Sequence, residues 1–110
     1  MDAILVITNM PDNASAEILA NRLIEKGEAA CVNIMAPCTS VYHWQGKVET
    51  AQETPVFIKT TKQRYDDVEH TIREVHPYEL PEIISVVLAS GLPAYLEWIV
   101  AETNRNSKKI

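Results

Sequence analysis

The sequence predicts an α+β fold, a ferredoxin-like split βαβ sandwich of element order βαββαβα with an elongated hairpin between its second and third strands. Three observations carry this. Short apolar runs alternate with helical stripes along the chain, Gln45-Gly46 separates two long extended segments, and a proline or glycine marks most changes of period. With 110 residues, 46% apolar or aromatic and 23% charged, the composition is that of one globular domain. Residues 1–104 are expected to form it, followed by a polar tail over 105–110.

Ala3 to Thr8 is an almost continuous apolar run, so it predicts a strand buried on both faces and central in its sheet. After Pro11-Asp12-Asn13, which supply helix-start acceptors, Ala16, Leu19, Ala20, Leu23 and Ile24 form one helical stripe, and Gly27 stops it. Ala30 to Trp44 reads as an extended segment bulged at Pro37, and Lys47 to Thr61 as its returning partner with a second interruption at Pro55. Tyr65, Val68, Ile72 and Val75 then mark a second helix supported by a Glu69–Arg73 pair and ended by His76 before Pro77. Glu82 to Leu88 reads as a buried-type strand. Ser90-Gly91-Leu92-Pro93 opens a last helix with Tyr95, Leu96, Ile99 and Val100 inward.

Right-handed crossovers place these strands in the order 4-1-3-2. The hairpin arms, about 50 Å long at roughly 3.3 Å per residue, outrun the first and last strands. The last strand meanwhile sits at an edge with Ile83, Ile84, Val86, Val87 and Leu88 and no charge, which sheet edges ordinarily avoid. Pairing between copies of the chain answers both problems, so a homo-oligomer is expected.

A net charge of -5 and no clustered basic surface argue against nucleic acid as a partner. The apolar run at Ala3 to Ile7 is too short for a signal peptide or a membrane span, so no membrane association and a cytoplasmic location are the expectations. Cys31 and Cys38, seven apart, point to opposite faces of an uninterrupted strand and are read as reduced thiols, with Cys31 packed in the core. Three isolated glycines write neither a P-loop nor a dinucleotide turn, and no nucleophile elbow is present. His70 and His76 stand about 120° apart on their helix and His43 lies away in the hairpin, so spacing alone gives no metal site.

Two regions are candidate sites. His76-Pro-Tyr-Glu-Leu-Pro-Glu82 is a stiffened loop carrying an imidazole, a phenol and carboxylates; it either holds a site or steers the chain into the last strand. Tyr42 and Trp44 alternate onto one face of the hairpin near Glu53, as interface anchors or as a ligand platform. Lys59, within an apolar stretch, is expected to meet a carboxylate or to bind an anion.

Ala30-Cys-Val-Asn33, Ser40-x-Tyr42-x-Trp44-x-Gly46, Lys59-Thr60, His76-Pro-Tyr-Glu-x-Pro-Glu82 and Tyr95-Leu-x-Trp98 resemble the divalent-cation tolerance family, CutA, over about residues 2 to 103. The resemblance implies a ferredoxin-like homotrimer on a scaffold shared with PII signalling proteins, tied to tolerance of copper and other divalent metals, with no required cofactor and no enzymatic core role. The metal ligands proposed in that family are a cysteine ending the first strand and two histidines before the proline. Here those positions are Thr8 and Val75-His76, so His76 alone remains as a metal candidate and weak or relocated Cu(II) binding is implied. Clefts between subunits, lined by Tyr42, Trp44, Glu53, Lys59, Tyr78 and Glu79, are the expected place for a metal ion or small anionic ligand. The competing readings are a PII-like signalling or purely partner-binding trimer, and an enzyme using His76 with Glu79 or Glu82 as acid and base.

Overall fold

The first apolar run becomes β1, Ala3–Met10, which extends past Thr8 because Asn9 and Met10 continue the ladder to Pro55 and Thr54. β1 is central. On one side it pairs antiparallel with β4, Lys47–Thr61, and on the other with β5, Ile83–Val87. β2, Cys31–Ile34, lies on the outer side of β4, giving the order β2-β4-β1-β5, and β3, Cys38–Trp44, continues along β4 past the end of β1. The computed structural model describes residues 2–104, so the tail expected over 105–110 lies outside the described residues.

Alternation sorts the sheet into two faces. Ile4, Val6, Thr8, Met10, Val56, Ile58 and Thr60 are buried on one of them. Helices α1, Asn13–Glu25, and α2, Tyr65–Val75, cover it with Ala16, Leu19, Leu23, Val68 and Ile72. α1 starts where the Asp12 carboxylate accepts the Ser15 N–H at 2.8 Å, which holds that carboxyl below its ordinary pKa, and stops at Gly27, whose φ of 70° suits a residue without Cβ. α2 follows a single 3-10 turn, Lys62–Arg64, and ends before His76.

The second face carries Leu5, Ile7, Phe57 and Lys59. Helix α3, Pro93–Asn104, packs against β4 and β1, and its Tyr95 reaches Lys59 on this face. Its last turn is held by Arg64, whose Nε donates to the Thr103 carbonyl at 2.7 Å. Ile99 and Thr103 are buried, but Tyr95, expected inward, is 39% exposed. Its hydroxyl is drawn to the Lys59 ammonium at the rim instead.

Four further expectations are corrected. β4 runs unbroken through Pro55. The Pro55 carbonyl accepts the Met35 N–H, so the position of its missing donor points to the same edge, where residues 35–37 separate β2 from β3 and no ladder bond is lost. The bulge at Pro37 therefore serves both prolines. Cys31 is half-buried rather than a core thiol, because Val32 and Ile34 take the helix-covered face; it and Cys38 are unbridged. Glu69 accepts the Tyr65 hydroxyl at 3.0 Å rather than pairing with Arg73. Finally, Lys59 meets no carboxylate among the described residues: its Nζ lies 3.3 Å from the Tyr95 hydroxyl and 5.5 Å from that ring's centroid.

Candidate functional site

The hairpin turn has positive φ at both central residues, 49° at Gln45 and 83° at Gly46, the two-residue turn whose twist matches paired strands. That turn fixes the register of the arms, pairing Cys38 with Glu53, Ser40 with Ala51, Tyr42 with Glu49 and Trp44 with Lys47. Opposed residues share a face, so Ser40, Tyr42, Trp44 and Glu53 stand on one side of the ribbon. The loop after α2 faces them. Between the two lies a cleft of about 720 Å³, lined by Ser40, Val41, Tyr42, Trp44, Glu53, Tyr78, Glu79, Leu80 and Glu82, a volume typical of small-molecule sites.

Asn9, at the end of β1, ties down both ends of that loop. Its backbone carbonyl lies 2.6 Å from His76 Nε2, and its side-chain amide donates to Glu82 Oε1 at 3.0 Å. A carbonyl only accepts, so Nε2 carries the proton and Nδ1 keeps a lone pair, which accepts the Tyr78 N–H at 3.2 Å. The two rings pack with centroids 4.6 Å apart. His76, 8% exposed, is thereby a strut that aims Tyr78 across the cleft. Burial and the charge of the nearby Glu53 carboxylate hold the Tyr78 phenol above its ordinary pKa, with a smaller contribution from Tyr42. Glu53 is itself 8% exposed, on the side of the ribbon that faces Tyr78.

The structure thus brings Tyr42, Trp44, Glu53, Tyr78 and Glu79 together. Lys59 stays apart: it shares the face of Glu53 but lies three alternations further along β4, about 20 Å away at roughly 3.3 Å per residue. His76 lies behind Tyr78 and not in the lining. No group of three or more His, Cys, Asp or Glu side chains among the described residues is arranged to hold a metal ion. Thr8, which the resemblance sets at a proposed ligand position, is fully buried and its hydroxyl lacks a partner among the described residues. Sequence reading missed Asn9, whose role depends on the loop returning to β1, and Leu80, which looked like a spacer between two prolines.

A family model described as CutA1 divalent ion tolerance protein matches residues 4–102. The chain belongs to the CutA1 family. It is 37% identical over 103 residues to the divalent-cation tolerance protein CutA of Thermus thermophilus, covering 94% of this chain and 99% of that one. The solved structure of CutA from Xylella fastidiosa superposes with a TM-score of 0.90 at 41% identity, covering 94% of this chain and 99% of the other. A chloroplastic CutA of Arabidopsis thaliana is 34% identical over 92% of this chain, which spans only 56% of that relative. These CutA relatives are named for tolerance of divalent cations or for their family, not for a reaction.

Proposed function

We propose that this CutA1-family chain acts as a cytoplasmic, non-enzymatic homotrimer of ferredoxin-like subunits, and that it serves divalent-cation tolerance by binding a ligand in the Tyr42–Glu53–Tyr78 cleft. One observation carries the assembly: among the described residues, 47–53 of β4 pair only with β3, which leaves one edge of the ribbon bare, while β5 offers a second bare edge with Ile84, Val86 and Val87 all exposed. Unpaired backbone beside exposed apolar side chains is a template for a further strand, and a second copy supplies one. A trimer closes such head-to-tail pairing without leftover edges.

Catalysis is disfavoured on the residues. An acid–base pair of His76 with Glu79 or Glu82 needs a ring nitrogen facing the cleft, and both nitrogens of His76 are already bonded elsewhere. Copper at His76 would likewise have to displace the Tyr78 N–H from Nδ1. Sedimentation equilibrium at micromolar concentration is expected to return three times the 12.4 kDa chain mass. A persistent monomer overturns the proposal.

A further inference from the structure

The lining of the cleft has a charge sign that bears on what it can hold. Glu53, Glu79 and Glu82 bring three carboxylates to it, and no Lys, Arg or His is among its lining residues. Lys59, which would have received an anion there, is held at Tyr95. Within one subunit, an anion entering this space would meet like charge with no cation among the described lining residues to offset it. A bare divalent ion finds no convergent ligand set either: Glu82 already accepts from Asn9, Glu53 faces the Tyr78 hydroxyl, and no metal-holding group exists among the described residues. What remains is a wall of three aromatic rings, Tyr42, Trp44 and Tyr78, with a nearly buried carboxylate at Glu53. Aromatic faces attract positive charge, the more so when water is excluded, and they also accept apolar groups.

We infer that the cleft takes a small organic cation, an ammonium group carrying an apolar or aromatic body, rather than an anion or a bare metal ion. The ammonium lies against Glu53 and the ring faces while Leu80 and the indole of Trp44 cover its body. This rests on the ligand-binding reading of the cleft given above and deepens it by naming the class of ligand.

Three probes of one shape and different charge separate the possibilities: benzylammonium, benzyl alcohol and benzoate. The chain has two tryptophans, so in a Trp98→Phe background the fluorescence of Trp44 reports the cleft alone. Benzylammonium is expected to give a saturable change and to bind at least about tenfold more tightly than benzyl alcohol, with benzoate weakest. Glu53→Gln should cost benzylammonium about tenfold, and the exposed Glu79→Gln, which leaves the fold intact, should weaken it in the same direction. Equal binding of benzylammonium and benzyl alcohol, or preference for benzoate, overturns the inferred class while leaving the cleft a ligand site. Silence of all three probes in a sample that sediments as a trimer overturns both the class and the ligand-binding role of the cleft, and leaves the assembly standing.

Discussion

His76 shows how one side chain changes role between its sequence context and its place in the fold. Beside a proline and near carboxylates it reads as a ligand or a base; in the structure its Nε2 donates to Asn9 and its Nδ1 accepts from Tyr78. Titrating Cu(II) into the wild-type protein and His76→Ala is therefore expected to give equal affinities, and a tenfold or greater loss in the variant would return His76 to a metal role. Tyr78 carries the second consequence at this scale. Burial and Glu53 raise its pKa above the ordinary 10.0, and burial with Glu69 does the same for Tyr65. Between the ordinary and raised values the folded state binds more protons than the unfolded chain, so this stability is complete below about pH 10 and is lost as pH rises through the folded-state pKa. In ultraviolet titration, Tyr78→Phe and Tyr65→Phe should each remove a phenol that ionises above the ordinary 10.0, and loss of a phenol ionising at that ordinary value in both variants would refute this.

At the scale of elements, the helices are fixed at their ends by local chemistry and on their faces by the sheet. Asp12 and Gly27 bracket α1 as the sequence signals, yet the stripe between them is only partly core: Ala16, Leu19 and Leu23 are buried while Ile24 sits at the margin. Leu19 has no exposed surface, so Leu19→Ala removes its contacts and leaves a cavity, and a loss of about 2–5 kcal/mol in chemical denaturation is expected. A loss under about 1 kcal/mol would mean that α1 re-packs onto the sheet freely. The strands obey a different logic. Pro55 is compatible with a 15-residue strand because the partner chain is interrupted opposite it at residues 35–37, a coincidence of two strands that neither sequence stretch declares alone.

For the whole molecule, the ribbon sets the shape, with principal extents of 46 × 30 × 22 Å. Its outer half and β5 expose apolar side chains beside open backbone, an arrangement that single soluble chains rarely keep. Val86 is 47% exposed in the subunit, so Val86→Lys should leave the circular dichroism of the fold unchanged yet place a charge in the proposed contact between copies. The expected result is a shift of sedimentation from trimer toward monomer, and an unchanged trimer would move the interface away from β5.

The sequence by itself determined the elements and their neighbours. Apolar period, Gly27, the Gln45-Gly46 turn and Pro93 act within a few residues, so helix ends, hairpin register and the edge position of the last strand were legible without coordinates. It also singled out Tyr42, Trp44, Glu53, Tyr78 and Glu79, through an aromatic alternation and a proline-stiffened loop. Only the tertiary structure decided which of these groups meet and what they are free to do. Lys59 left the site because strand geometry carries it about 20 Å along β4, and His76 lost its reactive nitrogens to Asn9 and Tyr78, partners set by the return of the loop to β1. Charge sign in a cleft is a sum over residues distant in sequence, and it exists only once the chain has closed around it.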